Sequence, residues 1–228
     1  MTVLSLTGIN KRFGAVQALT DVHLQVDAGE VVALVGDNGA GKSTLVKVIS
    51  GVYQPDSGSI EFAGEEVSPA GPAQAQALGI ATVFQDLALC DNLDVVANLF
   101  LGQEHLMGPL LDEVSMERES WRLLRTLSAK IPSVRIPIAA LSGGQRQTVA
   151  IARSLVGSPK VVMLDEPTAA LGVAQTAEVL NLVERLRETG LGVILVSHNM
   201  ADVLAVSDRI VVLRLGRNAA EFRTGEVT

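Results

Sequence analysis

Cysteine and aromatic residues are scarce in this sequence: Cys90 is the only cysteine among 228 residues, and aromatic side chains make up 3% of the chain. A single cysteine can form neither an internal disulfide bond nor a zinc site built from several thiolates. This cysteine content is typical of a reducing compartment. The length and the 48% hydrophobic content predict one globular domain with a core large enough to fold without covalent cross-links.

Basic side chains are outnumbered by acidic ones. The chain has 18 lysine and arginine residues against 25 aspartate and glutamate residues, which is a formal net charge of −7. A protein that binds a nucleic-acid backbone needs clustered basic side chains to displace counterions. We therefore expect no nucleic-acid partner, and the composition leaves open only a local basic patch.

Long apolar runs are absent as well. The longest, such as residues 31–35, have the length of a strand, far below the ~18 residues of a membrane-spanning helix. The first five residues lack the basic and apolar regions of a signal peptide. These absences predict a cytoplasmic protein that does not cross a membrane. The chain ends at Thr228 soon after the strand-like residues 219–222, which leaves open that it belongs to a longer protein.

The remaining pattern alternates between strands and helices. Continuous apolar runs, typical of strands buried on both faces of a parallel sheet, lie at 31–35, 161–164, 193–196 and 210–213. Alternating polarity predicts half-exposed antiparallel strands at 3–6 and 22–26. Helical spacing followed by glycine occurs at 42–50, 142–156 and 174–187. The order predicts an α/β fold with a mixed sheet core and an antiparallel β attachment at its start.

Residues 86–140 differ from the rest of the chain. They show helical patterns near 92–101 and 116–130, no continuous apolar strand, and breaks at Gly108-Pro109, Pro132 and Pro137. We interpret this segment as a helical subdomain within a single domain of residues 1–228. The core of that domain is then formed by residues 1–85 and 141–228.

Residues 36–43 satisfy the pattern G-x-x-x-x-G-K-[ST] between a predicted strand and a predicted helix. Glycines let backbone N–H groups wrap around phosphates, and the helix directs its positive end at the same place. The pattern predicts that Lys42 reaches the β- and γ-phosphates of a nucleotide, that Ser43 ligates Mg²⁺ and that Thr44 adds a phosphate hydrogen bond. The alternative is a purely structural glycine-rich turn. The predicted nucleotide-binding residues of this loop are Gly36, Asp37, Asn38, Gly39, Ala40, Gly41, Lys42, Ser43 and Thr44.

Two carboxylates, Asp165 and Glu166, follow the buried run at 161–164. The carboxyl edge of an α/β sheet is where such folds bind ligands, so we expect both beside the phosphate loop. Asp165 is predicted to hold Mg²⁺ through Ser43 or water. Glu166 is predicted to orient or deprotonate the water that attacks the γ-phosphate, a role worth ~10²–10⁴ in rate. The alternative is an acidic pair that ends a strand in solvent.

Residues 141–145 read Leu-Ser-Gly-Gly-Gln, which resembles the signature motif of ABC-type ATPases. A serine and two glycines at a helix N-terminus can form a second anion-binding concavity. The resemblance runs from the phosphate loop to residue 198 and implies a P-loop NTPase of ABC type that hydrolyses ATP with Mg²⁺. It also implies a head-to-tail dimer, in which the signature of one subunit closes over the γ-phosphate held by Lys42 of the other. The nucleotide-contacting residues of the signature are Ser142, Gly143, Gly144 and Gln145.

Three further residues receive roles from this resemblance. Phe13 matches the aromatic ring that stacks on adenine, with an ordinary core phenylalanine as the alternative. Gln85 matches the glutamine that touches the metal or the attacking water and moves with the membrane domain. His198 matches the histidine that hydrogen-bonds the γ-phosphate and helps to place Glu166. His23 and His105 lie outside every motif, and we interpret them as structural.

One departure from the family lies after Pro167-Thr168. The family usually reads Ser-Ala-Leu-Asp there, whereas this chain reads Ala-Ala-Leu-Gly and ends the motif at Gly172. The missing carboxylate puts the coupling between the two nucleotide sites in doubt; the alternative is a subfamily that does without the contact. Residues 167–171 together with Ser197-His198-Asn199-Met200 resemble the ATPase subunits of pentose and other monosaccharide importers. Those subunits often carry two ATPase halves, and this sequence contains one.

The resemblance implies the ATP-binding subunit of an importer, peripheral on the inner face of the cell membrane. Its implied partners are permease subunits that dock near residues 86–101, a second ATPase subunit and, indirectly, an external solute-binding protein. The alternative is a soluble ABC ATPase that acts in DNA repair or on ribosomes, which the net charge and the lack of a long coiled-coil insertion disfavour. A P-loop kinase or GTPase would leave the signature without a role. The intact Lys42, Asp165, Glu166 and His198 argue against an inactive regulator.

Overall fold

The computed structural model describes residues 1–226. The predicted domain extends to Thr228, and its last two residues lie outside this range. The strands in chain order are β1 (Thr2–Phe13), β2 (Val16–Asp27), β3 (Val31–Val35), β4 (Ser57–Phe62), β5 (Glu65–Val67), β6 (Ile80–Val83), β7 (Leu106–Met107), β8 (Leu110–Leu111), β9 (Val161–Asp165), β10 (Gly192–Val196), β11 (Arg209–Arg214) and β12 (Arg217–Arg223). The α-helices are α1 (Lys42–Ile49), α2 (Pro72–Leu78), α3 (Val95–Phe100), α4 (Glu113–Thr126), α5 (Gly143–Ser154), α6 (Val173–Glu188) and α7 (Met200–Val206).

The larger sheet has the strand order β12-β11-β3-β10-β9-β6. All neighbours in it pair in parallel except the edge strand β12, which is antiparallel to β11. The four continuous apolar runs are all strands of this sheet, as predicted, because helices cover one of its faces and α1 with the smaller sheet covers the other. Strand β10 lies between β3 and β9, so the phosphate loop after β3 and the carboxylates after β9 share one edge of the sheet.

The smaller sheet has the order β2-β1-β4-β5 and is antiparallel throughout. The predicted antiparallel attachment is confirmed, but its first two strands are each twelve residues long. Register shifts, for example between Leu6 and Ile9, interrupt the two-residue alternation on which the prediction depended. The inner face of this sheet packs on α1 and on the larger sheet through a continuous apolar core.

Helices α1, α5 and α6 agree with the predicted stretches to within about two residues. Between α3 and α5 the agreement is looser, because α3 is shorter than predicted and α4 ends earlier, at Thr126. Helix α4 also begins earlier, because the Asp112 side chain caps it by accepting a hydrogen bond from the Ser115 N–H at 3.0 Å. The prediction contained no strand here, whereas β7 and β8 form a short hairpin. Two-residue strands are too short to leave a sequence pattern. Leu99, Phe100 and Leu124 pack this segment against α5.

Candidate functional site

The phosphate loop connects β3 to α1 and has a backbone that requires glycine. Gly36 and Gly41 adopt φ values of 148° and 106°. A Cβ atom at Gly36 would clash with the Leu213 carbonyl oxygen, and one at Gly41 would lie 2.9 Å from the Ala18 carbonyl oxygen. The Gly216 N–H donates to the Ala40 carbonyl at 3.0 Å and ties the loop to the turn between β11 and β12. A side chain at position 36 or 41 would not fit this backbone, so the two glycines allow the loop to form a concavity.

Lys42 begins α1 and directs its ammonium back into this loop. Its Nζ atom donates to the Gly36 carbonyl at 2.6 Å and to the Asp37 carbonyl at 3.2 Å, and the residue is 8% exposed. The helix N-cap is Gly41, which has no side chain to accept from the first N–H groups of α1. Ser43 is exposed and Thr44 half-buried in this first turn. A lysine ammonium and free helix N–H groups in one concavity suit a phosphate group.

Asp165 ends β9 at the same edge and is partly buried. Burial raises the pKa of its carboxyl, the Glu166 charge raises it further, and Lys42 and Lys47 act in the opposite direction. A carboxylate that is destabilised in this way gains from a nearby cation. The oxygen donors of Asp165 and Ser43 suit Mg²⁺, which commonly takes one or two protein oxygens together with phosphate oxygens. No group of three or more acidic, histidine or cysteine side chains with metal-site geometry occurs within residues 1–226.

Replacing Asp165 by asparagine is expected to raise the melting temperature of the nucleotide-free protein at neutral pH. The pKa of Asp165 is raised in the folded state, so its ionised form opposes folding above that pKa and the penalty disappears as the pH falls below the ordinary aspartate range. The advantage of Asp165→Asn is therefore expected to shrink as the pH is lowered. Thermal melts across a pH series measure this, and an equal or lower melting temperature at pH 7.5 would contradict it.

Glu166 and His198 form a pair just beyond the carboxyl ends of β9 and β10. Glu166 Oε2 lies 2.8 Å from His198 Nδ1, and the Glu166 N–H donates to the Val196 carbonyl at 2.9 Å. Glu166 has a φ of 51°, a left-handed conformation that costs a non-glycine residue about 1–2 kcal/mol. The side chain of Glu166 is 16% exposed and that of His198 71% exposed. Strain of this kind persists where surrounding contacts enforce it and is common at active sites.

Gln85 lies two residues beyond the edge strand β6 and is exposed. Within residues 1–226 its side chain makes no hydrogen bond. The segment that follows it is held by Arg153 of α5, which donates to the Leu87 and Ala88 carbonyls at 2.7 Å and 2.8 Å. Burial lowers the pKa of Arg153, but a guanidinium stays charged at physiological pH. This link was not predictable from the sequence, because nothing local distinguishes Arg153 from other helix-surface arginines.

The signature residues form the N-terminus of α5. Ser142 Oγ accepts from the Gln145 N–H at 3.3 Å, Gln145 Oε1 accepts from the Ser142 N–H at 3.0 Å, and Gln145 Nε2 donates to the Lys130 carbonyl. Ser142 and Gly143 are exposed. A Cβ atom at Gly144 would lie 3.2 Å from Glu178 Oε2, so the glycine permits close approach of α6. No hydrogen bond within residues 1–226 joins residues 142–145 to the phosphate loop.

Phe13 ends β1 and is 40% exposed, so the alternative of an ordinary core phenylalanine is wrong. Its ring meets Tyr53 edge to face at a centroid distance of 5.0 Å, and the Lys11 ammonium lies 5.5 Å from the Phe13 centroid. Tyr53 belongs to none of the sequence motifs described above. As the only tyrosine of the chain it was visible, but its position beside Phe13 depends on tertiary packing.

The loop from β9 to α6 contacts α7 and the first residue of α5. Thr168 Oγ1 donates to Asp202 Oδ2 of α7 at 2.7 Å, and a Cβ atom at Gly143 would lie 3.3 Å from the Leu171 side chain. Gly172 ends this loop as the N-cap of α6, with φ −75° and ψ 165°, and nothing lies within 4 Å of the position of its missing Cβ. Any residue adopts this backbone conformation, so a side chain fits at position 172.

None of the helices within residues 1–226 has the length and apolarity needed to span a bilayer.

Comparison with known proteins identifies the family. A family model described as ABC transporter matches residues 19–169. The xylose/arabinose import ATP-binding protein XylG of Sulfolobus acidocaldarius is 46% identical over 94% of this chain and 86% of its own length. The fructose import ATP-binding protein FrcA of Rhizobium meliloti is 43% identical over 99% of this chain and 90% of its own length. The ribose import ATP-binding protein RbsA of Pseudomonas putida is 42% identical over 96% of this chain, which spans only 43% of that relative.

Solved structures are similar over the same range. An ATP-binding cassette of an ABC transporter in its ADP conformation superposes with a TM-score of 0.87 at 29% identity, over 98% of this chain and 91% of that one. A dimeric bacterial ABC transporter cassette superposes with a TM-score of 0.80 at 26% identity, over 97% and 98%. The predicted P-loop NTPase fold of ABC type is thus confirmed. This chain belongs to the ABC transporter family, as an ATP-binding cassette.

Proposed function

We propose that this chain is the ATP-binding subunit of an importer and hydrolyses ATP to drive uptake of a monosaccharide. The observation that carries the hydrolytic part of the proposal is the Glu166–His198 pair at the sheet edge that also bears the phosphate loop. The similarity to import ATP-binding proteins for xylose/arabinose, fructose and ribose supports the transport role and the solute class.

ATP hydrolysis needs a group that positions or deprotonates the attacking water, and we assign this role to Glu166. His198 Nδ1 lies 2.8 Å from Glu166 Oε2 and orients that carboxylate. Because the His198 ring is largely exposed, it can also donate to the γ-phosphate. Gln85 contributes to the metal or the attacking water. The Gln85 side chain makes no hydrogen bond within residues 1–226, which supports a side chain that moves when the permease moves.

The nucleotide is held by residues 36–44 through backbone N–H groups, with Lys42 leaving the loop carbonyls to meet the β- and γ-phosphates. Phe13 offers an exposed ring for the adenine base. Ser43, Asp165 and Gln85 are the proposed ligands of Mg²⁺. When bound, the ion would neutralise charge on the phosphates.

The functional unit is a head-to-tail dimer in which residues 142–145 of one subunit cover the γ-phosphate bound by the other. Two observations support this arrangement: the exposed N-terminus of α5 makes no hydrogen bond with the phosphate loop of its own chain in the described range, and a related cassette is dimeric. The proposed division is a nucleotide-binding core of residues 1–85 and 141–228 with a helical subdomain at about 86–140.

The proposed permease contact is a groove of about 300 Å³ beside Gln85. Its lining includes Ala75, Phe84, Asp86, Leu87, Leu101 and Arg153. A permease loop seated here would touch the segment that carries Gln85 and, through Arg153, the helix that carries the signature. We place the subunit on the inner face of the membrane, where ATP is available, with a solute-binding protein on the other side. A role in DNA repair or on ribosomes is disfavoured by the net charge of −7.

Purification of the native complex from detergent-solubilised host membranes tests this function. We expect the tagged chain to retain a multi-spanning permease, and we expect its ATPase rate to rise when the complex is supplied with a monosaccharide-loaded binding protein. Each candidate sugar is compared with an amino acid of similar size as a control. Retention of ribosomal or DNA-repair proteins instead of a permease would overturn the proposal.

Gly172→Asp is expected to raise the turnover or the Hill coefficient of ATP hydrolysis. The backbone at position 172 accepts aspartate, and the new carboxylate faces open space from which it can reach a partner subunit. Gly172→Ala is the matched control, because it adds a Cβ atom without a charge. Steady-state ATPase titrations of the three proteins, with folding checked by circular dichroism, measure the effect. Identical kinetics in all three would mean that this subfamily does without the contact.

A further inference from the structure

The hairpin of β7 and β8 presents apolar side chains to solvent. Leu106, Met107, Leu110 and Leu111 are 67%, 66%, 66% and 52% exposed. Leu106 pairs with Leu111 and Met107 with Leu110, so apolar pairs lie on both faces of the hairpin. We call these four residues the apolar finger. Leu101 and Val114 beside it are exposed as well, and a contiguous exposed apolar patch of this kind marks an interaction surface.

The base of the apolar finger is fixed to the helices around it. The Asp112 N–H donates to the His105 carbonyl at 2.8 Å and closes the hairpin. The His105 ring packs edge to face on buried Phe100 at a centroid distance of 4.8 Å, and its Nδ1 atom lies 2.9 Å from Ser115 Oγ. The finger is therefore held in one orientation, which lowers the entropy lost when it binds a partner.

Two carboxylates, Glu104 and Asp112, flank the apolar finger in the sequence. Backbone N–H groups lower the pKa of Glu104, and hydrogen bonds from Ser115 lower the pKa of Asp112, so both are ionised at neutral pH. Glu113 follows at the start of α4, but the Arg135 guanidinium lies 3.1 Å from its carboxylate, so the negative charge beside the finger comes from Glu104 and Asp112. An anionic lipid surface would be repelled by these charges, whereas a basic partner would be attracted.

The surface continues toward the groove beside Gln85. A second groove, of about 430 Å³, lies between the hairpin and α3 and is lined in part by Phe100, Leu101, Leu111 and Met116. Leu101 also lines the groove beside Gln85. A partner seated in one groove is therefore close to the other.

We propose that the apolar finger is a second contact with the permease and packs against apolar side chains of a lysine- and arginine-rich cytoplasmic loop. This inference rests on the proposed function. Short cytoplasmic loops of membrane proteins carry an excess of lysine and arginine, which complements the carboxylates around the finger. The finger and the groove beside Gln85 would then hold the permease at two points.

The test compares Met107→Asp/Leu110→Asp with wild type in the complex purified from host membranes. Loss of two buried apolar contacts is expected to reduce the retained permease at least about tenfold. The basal ATPase rate and the melting temperature of the isolated chain are expected to stay unchanged, because both side chains are exposed. Leu204→Asp, on the exposed side of α7, is the control and is expected to retain the permease.

Each other outcome overturns the inference in a recognisable way. Equal retention by the double variant and the wild type removes the apolar finger from the interface and leaves the proposed function standing. A wild-type chain that retains no permease overturns both. If the wild-type chain sediments with phosphatidylcholine–phosphatidylglycerol vesicles, the double variant does not, and both retain the permease equally, the finger binds lipid instead. If light scattering shows that the wild-type chain self-associates, the double variant does not, and both retain the permease equally, the finger binds a second copy of this chain instead.

Discussion

Lys42→Ala is expected to nearly abolish ATP binding and turnover. The Lys42 ammonium sits inside the phosphate loop, 2.6 Å from the Gly36 carbonyl, and it is the cation that the loop supplies to the β- and γ-phosphates. A charge-assisted hydrogen bond contributes about 1.5–3 kcal/mol, and more where charge develops in the transition state. Turnover is therefore expected to fall by at least about 100-fold. Nucleotide affinity by calorimetry and phosphate release measure the two effects.

Lys47→Ala is the matched control for this variant. Lys47 lies on the same helix, and its ammonium contacts the Tyr53 ring at 5.6 Å and contributes to the potential at Asp165, but it does not enter the phosphate loop. It is expected to change affinity by less than about threefold. Because Lys42→Ala also frees two loop carbonyls, its melting temperature is measured in parallel. A folded Lys42→Ala protein with wild-type affinity and turnover would disprove the assignment of the phosphate loop.

Glu166→Gln is expected to bind ATP normally and to hydrolyse it ~10²–10⁴ times more slowly. Glutamine keeps the shape of the side chain and a hydrogen bond to His198 but cannot accept the proton of the attacking water. Single-turnover hydrolysis and nucleotide affinity are measured together. Glu188→Gln, which changes an exposed carboxylate at the end of α6, is the control and is expected to behave as wild type. Wild-type turnover in Glu166→Gln would show that Glu166 is not the catalytic base.

The same variant is expected to dimerise when ATP is added, since ATP then stays bound between two signatures. Ser142→Arg in the Glu166→Gln background is expected to prevent this, because a bulky side chain occupies the place of the γ-phosphate contact. Ser142→Ala loses the helix cap in the same way and is expected to dimerise, so it separates the loss of the cap from the steric block. Size-exclusion chromatography with light scattering measures the oligomeric state of each variant with and without ATP. A monomer in ATP-loaded Glu166→Gln at high concentration would count against the dimer.

Much of the core was predictable from the sequence, because burial on both faces requires continuous apolar runs such as 161–164. The phosphate loop was equally predictable, since its glycines, Lys42 and Ser43 are consecutive and flanked by a strand and a helix. The same holds for Asp165 and Glu166, which follow the last residue of a buried run. Each of these features depends on residues within about ten positions of one another, so its pattern can be recognised in the sequence.

Between α3 and α5 local pattern predicted less. A single cap by Asp112 shifts α4, and the β7–β8 hairpin is too short to show periodicity. The exposed apolar residues of that hairpin resemble core residues until their solvent exposure is known.

The buried strands of the larger sheet, the starts of α1, α5 and α6, and the order of the phosphate loop, the signature and the carboxylates were determined by the sequence alone. Tertiary structure alone decided the contacts between distant segments: Arg153 with Leu87 across 66 positions, Thr168 with Asp202 across 34, and Phe13 with Tyr53. It also decided that residues 142–145 make no hydrogen bond with their own phosphate loop in the described range. The physical reason is that such contacts depend on which elements pack together and in what register, and this is set by the summed burial of the whole core rather than by neighbouring residues.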